Sequence, residues 1–203
     1  MERTPFFVVL DNIRSIYNVG AMFRTCDAVM AEKIFLCGIT GHPPRKDIDK
    51  VALGAVDVVP WEYTPTVSET LVKLKENGVK ICALELTKES VHYRRAEYPF
   101  PVALVVGNEV TGISDEVLPF VDFAIDLPML GRANSLNVAT AFGIAAYEIL
   151  HRWQNRSQQV AEKGYNDGGM FILLMYFHDG AGVGKPGKKF FGIATDFFAV
   201  FFP

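Results

Sequence analysis

Three stretches of this 203-residue sequence gather the side chains that bind or transfer charged groups: Asp11 to Thr25 (DNIRSIYNVGAMFRT), Gly107 to Ser114 (GNEVTGIS) and Leu127 to Ala141 (LPMLGRANSLNVATA). In the first, Asn18 is competent to cap a helix by accepting a backbone N–H, and Gly20 lets another backbone approach closely. That leaves Arg24, within an otherwise apolar helical stretch, as either a solvated or paired cation or a functional one. In the second, two glycines followed by Ser114 imitate a phosphate-binding loop, but Ile113 stands where the phosphate-reaching Lys belongs. A nucleotide phosphate site is therefore disfavoured. The glycines can instead bring backbone groups against an adenosine, with Glu109 adding one carboxylate, or form a plain turn with Ser114 as a cap. In the third, Asn134, Ser135 and Asn137 are all competent caps where one suffices. Such an excess of polar groups at a helix start can hold a ligand carboxylate or phosphate through exposed N–H groups.

Each stretch follows an apolar run that reads as a strand. Phe6 to Leu10, Lys33 to Cys37, Val56 to Val59, Lys80 to Glu85, Val102 to Val106 and Phe123 to Ile125 are mostly continuous rather than alternating. That pattern suits strands buried on both faces of a largely parallel sheet, which needs helical crossovers. Asn18 to Met30, Thr66 to Asn77 (ending in Asn77-Gly78, a helix stop) and Asn137 to Gln154 supply them. The expected fold class is α/β, a mostly parallel sheet sandwiched by helices, and the strand ends are where such sheets place ligands.

Composition narrows the function classes. Half the residues are hydrophobic (50%) and 21% charged, ordinary for a globular protein. A net charge of −3 argues against a strongly basic nucleic-acid binder, so any RNA contact needs a local patch; Arg14, Arg45, Lys46, Lys50 and Arg132 are the candidates. Cys26, Cys37 and Cys82 show no paired spacing, and His42, His92, His151 and His178 are isolated, so no metal site is expected. The longest apolar run, Met170 to Phe177, is far short of the ~20 residues that span a bilayer. Met1 to Pro5 carries no signal-peptide pattern, and a cytoplasmic setting is expected. Two regions are expected: a domain over 1–156 and a tail over 157–203, rich in Gly and aromatic residues. The tail's GAGVGKPG is a poor phosphate loop, since Asp179 replaces the first Gly and Pro186 follows the Lys.

In this order, NVGAMFRT, VVGNEVTGIS and DLPMLGRANSLNVATAFGIAAYEI resemble the three motifs of the SpoU (TrmH-like) branch of the SPOUT methyltransferases, over roughly Phe6 to Trp153. The resemblance implies a C-terminal deep trefoil knot, which general topology rules exclude. It also implies methylation of a ribose 2′-hydroxyl of tRNA or rRNA by S-adenosylmethionine, in a homodimer, with no metal. The donor pocket it implies uses Leu84, Glu85, Gly107, Ile125, Leu127 and Leu136. The catalytic group it implies is Arg24, oriented by Asn18, Glu109, Ser135 and Asn137, with Glu109 hydrogen-bonding the guanidinium. Arg24 is then a base or, since a guanidinium stays protonated, a cation that positions the phosphate and stabilises an incipient alkoxide. The competing reading is a non-catalytic RNA-binding or scaffold protein with the same fold.

Overall fold

The computed structural model of the protein describes residues 3–156; the expected tail at 157–203 lies outside the described residues. Among the described residues, seven strands form one sheet: β1 (Thr4–Asp11), β2 (Ala31–Cys37), β3 (Trp61–Thr64), β4 (Lys80–Leu84), β5 (Val91–His92), β6 (Val102–Val106) and β7 (Phe123–Asp126). Their order is β3-β2-β1-β6-β4-β7-β5, and every pairing is parallel. The helices are α1 (Ile16–Ala28), α2 (Lys46–Ala52), α3 (Ala55–Val58), α4 (Val67–Glu76) and α5 (Val138–Gln154). None among the described residues is long and apolar enough to cross a membrane.

The continuous apolar runs have the expected cause. Along β1, Val8 and Leu10 pack into one core with Met22 and Phe23 of α1 and Phe142 and Ile149 of α5, while Val9 faces a second core with Leu71 and Leu74 of α4. β6 repeats this split, with Leu104 and Val106 on one side and Ala103 and Val105 on the other. Successive side chains alternate faces, so burial on both faces requires apolar residues at every position.

One expected strand is corrected. Val56 to Val59 belongs largely to the helical turn α3, and the strand lies further on at Trp61–Thr64, paired with Ile34 to Cys37. Leu53 and Gly54 adopt left-handed backbone (φ 49° and 85°) and turn the chain; Ala55 and Val59 then reach the core while Asp57 and Val58 stay outside. That i, i+4 spacing is helical, and the valines' strand preference gives way to it. Two elements escaped the sequence reading. α2 buries only Ile48 and Ala52, and β5 has two residues.

Local signals set the helix ends. α1 starts at Ile16, two residues before Asn18, because the Ser15 hydroxyl caps it by accepting from Asn18 N at 3.3 Å. The Asn18 side chain is thereby freed. At Gly20 a Cβ would stand 2.7 Å from Val51 Cβ and 3.1 Å from Ile48 O, so this glycine sets how closely α2 approaches. α4 stops at Asn77-Gly78 as expected, with Gly78 at φ 74°. α5 is capped by Asn137, whose Oδ1 accepts from Ala139 N (3.0 Å) and Thr140 N (3.2 Å).

Candidate active site

The carboxyl ends of β4, β6 and β7 surround a cavity of about 620 Å³. Leu84 and Glu85 line it after β4, Gly107 and Glu109 after β6, and Ile125 and Leu127 at the end of β7. Ser135, Leu136 and Asn137 close it from the start of α5. The six residues expected to hold a ligand thus line one cavity, and three of the five polar motif residues join them.

The loop after β6 is folded tightly on itself. Asn108 N donates to Gly112 O and Gly112 N to Asn108 O, both at 2.9 Å. The Asn108 side chain accepts from Val110 N and Thr111 N and donates to Asn12 O at 2.7 Å. Glu85 Oε2 accepts from Ile113 N at 3.1 Å, and Asp11 Oδ2 from Ser114 N at 2.8 Å. These N–H groups already have protein acceptors, so the loop is no phosphate cradle, in line with the missing Lys. Ser114 makes no side-chain cap; its hydroxyl is buried without a hydrogen-bond partner among the described residues. Asp11, fully buried, and Asn108 fix this loop to β1, yet neither was singled out from the sequence. The available signal was position: Asp11 and Asn12 close an apolar strand at the sheet's ligand-binding edge.

A chain of side chains joins the three motif segments. Glu109 Oε2 accepts from Arg14 N (2.9 Å), and its Oε1 accepts from Ser15 N (3.0 Å) and Asn18 Nδ2 (2.9 Å). Asn18 Oδ1 accepts from Asn137 Nδ2 at 3.1 Å. Each amide has one self-consistent orientation: the carboxylate only accepts, so Asn18 turns its nitrogen to Glu109 and its oxygen to Asn137. Asn137 must then turn its oxygen to the α5 N–H groups.

Partial burial works against the charged form of Glu109, but the bonds from Arg14 N, Asn18 and Ser15 N outweigh it and hold the carboxyl below its ordinary value of 4.5. The stabilisation this supplies is complete above pH 4.5 and is lost as pH falls through the depressed pKa. Glu109→Gln, which offers a donor where an acceptor is needed, is expected to cost about 1 kcal/mol at neutral pH, since the group is exposed. It should also flatten the acid limb of the thermal unfolding profile. Identical acid limbs for the two proteins would mean that Glu109 does not tie these loops.

Arg24 lies apart, and the expected hydrogen bond from its guanidinium to Glu109 is replaced by the bonds to the first loop and Asn18. Six residues along a helix turn the side chain about 240° and carry it about 9 Å from Asn18. Arg24 is exposed, lines a separate shallow cavity of about 270 Å³ with Ala21, Thr25, Ala28 and Tyr147, and has no ion-pair or hydrogen-bond partner among the described residues. Burial raises the thiols of Cys26, Cys37 and Cys82, so none is a ready nucleophile. Among the described residues, no cluster of His, Cys, Asp and Glu is suited to hold a metal.

The sequence matches the profile of the SpoU rRNA Methylase family over residues 5–147. It is 37% identical over 147 residues to the tRNA (guanosine(18)-2'-O)-methyltransferase of Aquifex aeolicus, spanning 72% of this chain and 69% of that protein. The Thermus thermophilus protein of the same name is 33% identical over 141 residues, spanning 70% and 72%. Among solved structures, the A. aeolicus TrmH/SpoU tRNA modifying enzyme superposes with a TM-score of 0.70 at 31% identity, covering 82% of this chain and 91% of that one. The AdoMet-bound rRNA methyltransferase of Sinorhizobium meliloti gives 0.68 at 31%, covering 74% and 57%.

Proposed function

The chain belongs to the SpoU rRNA Methylase family, and from that premise we propose that it methylates a ribose 2′-hydroxyl of tRNA or rRNA with S-adenosylmethionine as donor. The observation that carries this reading is the cavity at the ends of β4, β6 and β7, bounded by the second and third motif segments, with the first tied to its rim through Glu109 and Asn137. Its size and lining fit an adenosine with a methionine chain. Leu84, Ile125, Leu127 and Leu136 offer apolar wall, Glu85 a carboxylate, and Gly107 a position where a Cβ has no room. When bound there, the donor supplies an electrophilic methyl group.

The protein's own part is to bring in the ribose and manage its proton. A ribose hydroxyl is a poor nucleophile, so a cation or base must accompany its deprotonation. Arg24 takes the electrostatic part as a permanent cation that holds the adjacent phosphate and stabilises the incipient alkoxide, while the hydroxyl proton passes to solvent water as the O–CH3 bond forms and the donor's S–CH3 bond breaks. Asn18, Glu109 and Asn137 hold the first loop and the start of α5 in one arrangement, and Ser135 is positioned to meet the RNA.

Because Arg24 opens into a different cavity, the reading requires a second copy of the chain to bring its Arg24 to this donor pocket. Exposed apolar residues on α1 and α5 support a homodimer: Tyr147, which lines the Arg24 cavity, is 55% exposed, Tyr17 71% and Ile144 38%. The likeness to solved SpoU structures supports a trefoil knot formed by the segments around the cavity. We assign the catalytic domain to residues 1–156 and place its work in the cytoplasm.

The test is mass-spectrometric mapping of ribose methylation in tRNA and rRNA from cells with and without the protein, followed by methylation in vitro of the RNA that differs. Loss of one 2′-O-methyl mark, restored by purified protein and donor, is the expected result. An unchanged map, with RNA binding intact, favours the scaffold reading instead.

A further inference from the structure

Across β1 from the cavity, the ends of β2 and β3 carry a second groove of about 470 Å³ on the same edge of the sheet. Its walls are Ile39, His42, Pro44, Arg45 and Tyr63. The His42 ring lies 4.4 Å from that of Tyr63, and its other neighbour, Trp61, is 6.5 Å away and nearly parallel (24°). Both wall rings are held. The Tyr63 hydroxyl donates to Gly38 O at 3.2 Å, and His42 Nδ1 donates to Pro43 O at 2.9 Å, since a carbonyl only accepts. Packing alone does not explain the exposure that remains: Ile39 is 68% exposed and Tyr63 39%.

Charge surrounds this aromatic surface. Arg45, Lys46 and, on the neighbouring loop, Arg14 are exposed and have no side-chain hydrogen bond or ion pair among the described residues. The nearby Asp47 is engaged by Lys50 at 3.8 Å. Fixed rings beside unpaired guanidinium groups are the combination that binds an unpaired base with its phosphate: the ring stacks, and the cation takes the charge. An apolar peptide would leave those cations unused.

The groove is also coupled to the cavity. Its floor residue Thr40 accepts from Ile13 N (2.9 Å) and donates to Leu10 O (3.1 Å), and Ile39 N donates to Asn12 Oδ1 (3.1 Å). Two residues further along the same loop, Arg14 N and Ser15 N are bonded to Glu109. The loop from Asn12 to Ser15 spans at most about 10 Å, so groove and cavity are near neighbours joined by a tethered segment.

We propose that the His42–Tyr63–Arg45 groove binds an unpaired nucleobase and phosphate of the RNA, flanking the nucleotide whose ribose is methylated, and so takes part in choosing the target. This rests on the reading of the chain as an RNA methyltransferase. The test uses the full chain and the RNA identified by methylation mapping, with Tyr63→Ala and Arg45→Ala variants. Both should raise KM for RNA by about 10-fold, the range of one lost stacking or phosphate contact, with the change in KM rather than kcat. S-adenosylhomocysteine affinity should not move, and Arg45→Ala should reduce the salt dependence of RNA binding. Arg45 is exposed and its side chain has no hydrogen-bond or ion-pair partner among the described residues, so its variant reports even if Tyr63→Ala unfolds. RNA carrying a photoreactive base at flanking positions should crosslink to 39–45 or Tyr63 in the wild-type protein. If the wild type methylates RNA while Arg45→Ala keeps its KM and the crosslinks map elsewhere, the groove proposal alone is wrong. If the wild type neither binds nor methylates any RNA, the functional reading fails and takes this proposal with it.

Discussion

Replacing Arg24 with alanine is expected to lower methyl transfer by at least about 10²-fold, the lower end of what one group stabilising a developing oxyanion contributes. Arg24 is exposed and unpartnered among the described residues, so its loss should leave the fold and donor binding intact and the deficit should appear in turnover. The same geometry predicts a complementation. Asn137→Ala breaks the bond to Asn18 and the α5 cap on the chain that holds the donor, whereas Arg24→Ala removes a group delivered to the opposite chain. Mixed one to one with exchange of subunits, half of the dimers are hybrids with one intact site of two. The mixture should recover about a quarter of wild-type activity although each parent is nearly inactive. Activity no greater than that of the two parents averaged, with hybrids demonstrated by native mass spectrometry, would place Arg24 and Asn137 in the same subunit's site.

Gly107→Ala is expected to abolish tight donor binding. The new Cβ would lie 2.3 Å from Gly112 C and Ile113 N and 2.5 Å from Gly112 O, all backbone atoms. The Asn108–Gly112 pair and the Glu85 and Asp11 bonds keep that backbone from moving aside. The loop must shift by about an ångström, a displacement that costs on the order of 10²-fold where a ligand is held by geometry. The strain should also lower stability by about 1–3 kcal/mol. Calorimetric titration with S-adenosylhomocysteine and thermal unfolding measure the two effects separately. Gly131→Ala, whose Cβ meets nothing within 4 Å, serves as the control. Wild-type affinity in Gly107→Ala would falsify the loop's role as the donor's backrest.

The strands that build the cavity were largely readable from sequence because burial on both faces writes itself as unbroken apolar runs, as in Val102 to Val106. Val56 to Val59 misled for the complementary reason: β-branched residues favour strands, but a left-handed turn at Leu53 and Gly54 determines how the chain enters that segment. The site was legible only as a set of loops. Asn18 read as a helix cap because nothing local shows that Ser15 already fills that position. Asp11 and Asn108 went unnoticed because their partners lie 103 and 96 residues away, beyond the reach of any periodicity. Arg24 carried its meaning only through family likeness. Its direction on α1, away from Asn18, emerges from the helix start and has no counterpart in residue types.

The length of those ties also bears on how the protein is made. Asn18 meets Asn137 across 119 residues and Arg14 meets Glu109 across 95. At 5–20 residues per second, a ribosome needs about 6 to 24 s between adding Asn18 and adding Asn137. The interval opens with β1 alone and closes with all seven strands made, and the Asp11 carboxylate, fully buried in the finished fold, must stay hydrated until Ser114 arrives. Such long-range closures slow folding. The nascent protein therefore completes its donor cavity only after the start of α5 has been made, and a fragment ending before Asn137 lacks both the α5 cap and the tie to Asn18.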